Sequence, residues 1–273
     1  MEKFIDVRNV IAQKNANLLK WIPGFIIKYV QKILHEKDVN SFINEHKHLD
    51  SFEFCTAVID KFHIDLISFG IENVPETGPC VLAVNHPLGG MDAMAIVSLL
   101  KHKRRDIKFI VNDVLLNLEN LKEIFVGVNK VGKNQKESLR KVDELFATDQ
   151  LICVFPSGLV SRKINGKIRD LEWKKTFITR SKKNNNTIIP VHINGELTNF
   201  FYRLSNLRKK VGIKANIEML YLVNELYKQK HKKMRVIFGE PIEASTLDKS
   251  QTDKAWAQEI KSKVYKLAED YDN

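Results

Sequence analysis

Cysteine is scarce in this chain. Cys55, Cys80 and Cys153 are odd in number, lie far apart and never form a C-x-x-C pair. That excludes a disulfide framework and a thiolate zinc site, and it fits a reducing compartment. Only 12 Gly and 7 Pro occur in 273 residues, too few for a collagen-like or low-complexity architecture. No apolar run reaches the roughly 20 residues that a membrane span needs. No apolar stretch follows Met1, Glu2, Lys3 and Asp6, so a secretory leader is not expected. Acidic residues are also in deficit: 33 Asp and Glu face 44 Lys and Arg, a net charge of +11.

What is present narrows the field. Fifteen Phe, 6 Tyr and 3 Trp provide core material that a disordered chain would lack. The length suits one large domain, or a core domain with an appendage. A basic surface seeks a polyanion: nucleic acid, an anionic membrane, or an acidic carrier or substrate. A plain Lys-rich solvated surface is the bland alternative. The basic runs are not interleaved with aromatics and contain no nucleic-acid-binding module, so nucleic acid is not expected as a partner. His35, His46 and His48, with Glu45 and Asp50, fall in a polar helical stretch and read as solvated side chains. No metal and no cofactor is expected.

The chain divides by pattern at residues 62 and 63. In 18–34, LLKWIPGFIIKYVQKIL, Leu18, Ile22, Phe25, Ile26, Tyr29 and Ile33 recur at helical spacing, and lysines lie mostly off that stripe. Trp21 and the flanking lysines suit an interfacial membrane helix, while packing on the chain's own domain stays open. Residues 1–62 therefore read as an N-terminal helical segment. Residues 63–273 alternate short apolar runs such as CVLAVN (80–85) and LICVF (151–155) with helical stretches. The fold class this predicts is α/β, a mixed, mainly parallel sheet flanked by helices. Late strands are expected at ANIEMLYLV (215–223) and MRVIFGEPI (234–242), and Pro190 points to an edge or bulge for TIIPVHING.

Chemistry gathers at three strand ends. NHPLGGMD, Asn85 to Asp92, follows the CVLAV strand. A His leaving the C-terminal end of a buried strand sits where α/β folds bind ligands. Gly89 and Gly90 allow a tight turn that presents backbone N–H groups, and Asp92 opens the next helix within reach of the His86 imidazole. A glycine-rich turn with a capping Asp92 and an incidental His is the structural alternative. FPSGLVSR, Phe155 to Arg162, ends the LICVF strand with Pro156, Ser157 and Gly158. A serine hydrolase is not expected there, because G-x-S-x-G is absent. VNKVGK places Lys130 and Lys133 just past another strand, suited to an anion.

In this order the motifs resemble the glycerolipid (lysophosphatidic-acid) acyltransferase family. Asn85, His86 and Asp92 match its Asn-His…Asp motif. Lys130 stands at the position of its second-motif Arg. Phe155, Pro156, Gly158 and Ser161 match its Phe-Pro-Glu-Gly-Thr-Arg-Ser, and Ile189, Pro190 and Val191 match its apolar-Pro-Val strand. The resemblance spans about residues 64–240. It departs where five residues rather than four separate His86 from Asp92, and where Ser157 and Val160 replace the family's Glu and Arg. The NHP-x-GG-x-D and FP-S-G forms look like the subgroup of bacterial aminolipid O-acyltransferases.

The resemblance implies that His86 is the general base and Asp92 its partner. Asn85, Gly89, Gly90, Lys130, Lys133, Phe155, Pro156, Ser157, Gly158 and Arg162 would hold substrate. It implies transfer of a fatty acyl group from acyl carrier protein or acyl-coenzyme A to a hydroxyl of a lipid acceptor. The altered third motif favours a lyso-aminolipid, a glycine or ornithine lipid precursor, with Lys130, Lys133 and Arg162 meeting its carboxylate. The competing readings are 1-acylglycerol-3-phosphate acylation, and a basic nucleic-acid- or lipid-binding protein without catalysis. The expected location is cytoplasmic, peripheral on an anionic membrane surface at the inner face of the cell membrane.

Overall fold

The computed structural model describes residues 3–14, 21–112, 118–128 and 135–271. In chain order the helices are α1 (Val7–Lys14), α2 (Gly24–Ile33), α3 (Glu36–Glu45), α4 (Ser51–Lys61), α5 (Gly90–Leu100), α6 (Gln135–Phe146), α7 (Thr176–Asn184), α8 (Asn199–Lys210), α9 (Leu222–Tyr227) and α10 (Asp253–Tyr271). The strands are β1 (Asp65–Phe69), β2 (Cys80–Val84), β3 (Lys108–Asn112), β4 (Phe125–Val128), β5 (Leu151–Val154), β6 (Arg162–Ile164), β7 (Lys167–Arg169), β8 (Thr187–Ile193) and β9 (Lys233–Phe238).

The described residues form two compact units, one within Met1–Leu49 and Leu197–Lys230, the other within Asp50–Glu196 and His231–Asn273. This division departs from the boundary at 62 and 63 in two ways. The α4 helix packs on α5 in the second unit. Residues 197–230, read from sequence as part of the α/β domain, group with the N-terminal helices.

The second unit holds a seven-stranded sheet in the order β1-β9-β8-β2-β5-β3-β4. Every pairing is parallel except β8 with β9, so the sheet is mixed and mainly parallel, as the sequence pattern predicts. A parallel strand covered on both faces must be apolar throughout. All five residues of β2 are fully buried, and β5 beside it is buried along its length. Cys55, Cys80 and Cys153 belong to this interior, and burial pushes the thiols of Cys55 and Cys80 up to about 12. Thiols so placed are core residues, not nucleophiles.

Two sequence expectations are corrected. Pro190 lies in the middle of the sheet, on a strand flanked by β9 and β2. Its carbonyl accepts from the Gly239 N–H at 2.8 Å, so its ring nitrogen faces the rung where β9 ends and almost no ladder is lost. Residues 215–223 form a 3₁₀ turn (Ile217–Tyr221) running into α9, not a strand. The alternation of Ile217, Met219 and Tyr221 mimicked a strand, but Glu218 between them is buried against Arg208 (Nε to Oε2, 2.6 Å). A solvated strand face could not supply that partner.

Arg104 braces the sheet at the end opposite the motif-bearing loops. It donates to Asp106 and to the carbonyls of Pro75, Gly78 and Asp149, which precede β3, β2 and β5. With the N-terminal strand ends tied, the C-terminal ends of β2 and β5 lie side by side and project their loops together.

Candidate active site

At the end of β2 the chain is locked before it turns. Asn85 is buried, its amide nitrogen donating to the Ile193 carbonyl (2.8 Å) and its amide oxygen accepting from the Ile193 N–H (2.7 Å). The side chain thereby copies one rung of β8 pairing and fixes where His86 begins. That rung is the contact Asn85 makes here: buried at the strand end, it positions the loop from which His86 projects.

The extra residue between His86 and Asp92 is absorbed at Gly89, whose φ of 75° lies in the left-handed region that glycine tolerates. Asp92 then enters the first turn of α5 and points back. Its Oδ2 accepts from His86 Nδ1 at 2.9 Å, Leu88 N at 3.0 Å and Gly89 N at 3.1 Å. The Asp92 side chain is 0% exposed and that of His86 18%. Burial pushes the Asp92 carboxyl above the ordinary aspartate range, while its bond to His86 and the Leu88 N–H act in the opposite direction. A proton on Nδ1 directed at Asp92 leaves the imidazole lone pair at Nε2, where it can take a proton from a hydroxyl.

Phe155, at the end of β5, stacks on the His86 ring with centroids 4.0 Å apart. Phe155, expected among the residues that hold substrate, packs on the imidazole and sets its plane. Beside the His86 backbone sits Asp170, which belongs to none of the motifs. Its carboxylate accepts from the His86 N–H (3.2 Å), the Ser161 hydroxyl (2.6 Å) and the Trp173 indole (2.8 Å). The Ser161 N–H donates to the His86 carbonyl at 2.7 Å. Asp170 thus couples the first-motif loop to the third-motif loop, and no spacing in the sequence announces it.

The other expected residues fare differently. Pro156 and Ser157 are buried beside Phe155, and the Ser157 hydroxyl donates to the Leu159 carbonyl at 2.7 Å, which fits a turn rather than a nucleophile. The Gly158 N–H closes that turn on Phe155 (2.9 Å), and the Gly89 N–H is held by Asp92. Both amides, which belong to residues expected to hold substrate, are therefore engaged within their own loops. Gly90, exposed at the first position of α5, has an amide that the helix itself cannot satisfy. Arg162 is buried and donates to the carbonyls of Val160 (2.5 Å) and Ser161 (3.3 Å). Through these bonds it braces the third-motif loop. Lys130 and Lys133 lie outside the described residues.

Comparison with known proteins identifies the family. Residues 9–273 match the model of a family described as acyltransferase. A lyso-glycine lipid O-acyltransferase of Bacteroides thetaiotaomicron is 42% identical over 264 residues, covering 96% of this chain and 97% of that protein. One from Phocaeicola vulgatus is 39% identical, covering 96% and 95%. The crystal structure of the 1-acyl-sn-glycerophosphate (LPA) acyltransferase PlsC from Thermotoga maritima superposes with a TM-score of 0.53 at 19% identity, covering 80% of this chain and 78% of that one. The last likeness is one of fold. The chain belongs to the acyltransferase family and is an acyltransferase.

The Asn85 rung makes a stability prediction. Asn85→Ala leaves the Ile193 N–H and C=O buried without partners and should cost about 2–3 kcal/mol. Urea denaturation should show a lower midpoint with an unchanged slope.

Proposed function

We propose that this acyltransferase moves a fatty acyl group from an acyl thioester to the hydroxyl of a lyso-aminolipid, a lyso-glycine lipid above all, with His86 as general base. The observation that carries the reading is the buried Asp92 holding His86 Nδ1 at 2.9 Å. Two relatives near 40% identity that bear the lyso-glycine lipid name support the acceptor class.

The chemistry follows from that pair. A hydroxyl is a weak nucleophile at neutral pH, so Nε2 takes its proton as the oxygen attacks the thioester carbonyl. A carbon–oxygen bond forms, the imidazolium is stabilised by Asp92, and the oxyanion is met by backbone N–H groups of which Gly90 is the leading candidate. The carbon–sulfur bond then breaks, and the imidazolium proton passes to the departing thiolate. No covalent intermediate is required. The donor is acyl carrier protein or acyl-coenzyme A, both acidic and suited to a chain of net charge +11.

The acceptor argument rests on what replaces phosphate recognition. Ser157 and Val160 are buried where the family has Glu and Arg, and Arg162 is buried with Nη1 directed at the Val160 and Ser161 carbonyls. The 1-acylglycerol-3-phosphate reading needs an Arg162 that swings back toward a phosphate, and that burial disfavours it. Lys130 and Lys133 are the remaining candidates for the acceptor carboxylate, a single small anion that a point charge can serve.

The enzyme works, in this reading, as a peripheral protein on the cytoplasmic face of the cell membrane. Among the described residues no helix is long and apolar enough to cross a membrane. Just before α2, Trp21 is 84% exposed, and on the helix Phe25 is 72% exposed, with Lys28 and Lys32 also on the surface. That combination suits insertion at the headgroup level.

Two measurements test this reading. His86→Ala should lower acyl transfer about a hundredfold or more, and Asp92→Asn should keep a folded protein while losing much of the rate, both read as kcat on one thioester. Near wild-type turnover in purified His86→Ala would remove the base. Offered the same thioester with a lyso-glycine lipid or with lysophosphatidic acid, the enzyme should prefer the former by about tenfold or more in kcat/KM. A preference for lysophosphatidic acid would promote the phosphate-bearing acceptor instead.

A further inference from the structure

Exposed large apolar side chains are unevenly spread over the molecule. Among the described residues, ten of the twelve belong to the unit built from Met1–Leu49 and Leu197–Lys230, which is less than a third of the chain. Isolated apolar residues on a surface need no explanation, whereas a concentration of them marks an interaction site.

The residues come from two stretches far apart in sequence. One is α2 and the residues just before it: Phe25 and Tyr29, spaced i, i+4, are exposed on the helix while Ile27 and Ile33 are buried, and Trp21 stands exposed ahead of the Pro23 cap. The other is α8 and the turn after it. Phe201, Tyr202, Ser205 and Arg208 form the buried stripe of α8. Phe200, Leu207 and Val211 lie at i, i+7 and i+11 on the opposite side, with Leu207 57% and Val211 59% exposed. A surface helix ordinarily turns a polar face outward. On this one exposed apolar side chains stand among Arg203, Lys209 and Lys210, and Ile213 and Leu220, which follow it in the chain, are exposed as well.

The unit ties the two stretches together. Tyr29 and Tyr221 share a hydrogen bond at 2.9 Å, and Phe200 packs edge-on against Tyr221 with centroids 4.9 Å apart. Farther along, His35 stacks on Tyr227 at 3.6 Å and its Nε2 meets Asn224 Oδ1 at 3.0 Å. The buried Arg208–Glu218 pair anchors the far end of α8 to the 3₁₀ turn. The apolar residues are thus presented on a braced scaffold.

We infer that residues 200–220 are a second membrane-docking element, and that with α2 they seat the enzyme on an anionic lipid bilayer. Charge selects the occupant. Val211 and Ile213 are interleaved with Lys209, Lys210 and Lys214, all exposed, and Lys28 and Lys32 flank the α2 face. A second copy of the chain would bring these cations against one another at a cost. An anionic bilayer would take the apolar tips while the lysines reach its headgroups. The choice of a lipid surface rests on the lipid-acceptor reading; the geometry of the face does not.

The test uses sedimentation with vesicles of phosphatidylcholine and phosphatidylglycerol, which requires no turnover. Leu207→Ser combined with Val211→Ser and Leu220→Ser should lower the partition coefficient about tenfold or more and leave the melting temperature unchanged, because all three side chains are already exposed. Trp21→Ser with Phe25→Ser should lower it independently, and added salt should weaken binding of the wild-type chain. Wild-type partition in the triple variant overturns the inference. A concentration-dependent dimer that the triple variant abolishes also overturns it, and assigns the face to self-association. If the vesicle result holds but lyso-glycine lipid is not acylated, the docking element stands and the acceptor reading falls.

Discussion

Everything at the candidate site depends on one buried carboxylate. Asp92 has left water entirely, and a buried anion must be compensated by donors. It finds them in His86 Nδ1 and in the amides of Leu88 and Gly89, three groups contributed by the loop it caps. The same contacts that satisfy the carboxylate therefore fold the loop, seat the helix start and orient the imidazole. Removing the loop geometry would leave the charge uncompensated, so structure and chemistry are coupled through a single atom, Oδ2.

That arrangement needs a rigid floor. The Asn85 rung fixes the end of β2 to β8, Phe155 from β5 covers the imidazole, and Asp170 receives the His86 backbone together with Ser161 and Trp173. Asp170 is itself held from α10, where the Tyr265 hydroxyl accepts its N–H at 2.7 Å and Lys261 donates to its carbonyl at 2.7 Å. Side chains from three strand ends and the last helix thus converge on a few ångströms of backbone. Pre-organisation of this kind lets a base act without moving. Arg104 supplies the matching constraint at the other end of the same strands.

Much of this was legible in the residues, because local chemistry leaves local traces. A continuous apolar run such as CVLAV can only be a doubly covered strand or a buried helix, and the Gly-rich turn after it settles the choice. The His86–Asp92 pairing was legible from spacing plus a glycine able to absorb one extra residue. Long-range partners were not. Asp170 lies 84 residues from the backbone amide it accepts, and nothing in its neighbourhood distinguishes it from a solvated charge in a basic run. Glu218 was hidden for the same reason, since its buried Arg208 made an alternating stretch look like a strand. Pro190 misled because its effect depends on where a neighbouring strand stops. The grouping of residues 197–230 with the N-terminal helices follows from contacts such as Tyr29 to Tyr221, which no one-dimensional pattern contains.

The claim that Asp92 fixes the imidazole tautomer can be observed directly. In the wild-type enzyme at neutral pH, two-dimensional ¹⁵N–¹H spectra of the His86 ring should show a protonated Nδ1 and a bare, pyridine-like Nε2. Asp92→Asn should erode that preference. A wild-type ring protonated at Nε2, with Nδ1 bare toward Asp92, would contradict the assignment of His86 as a base poised by a buried carboxylate.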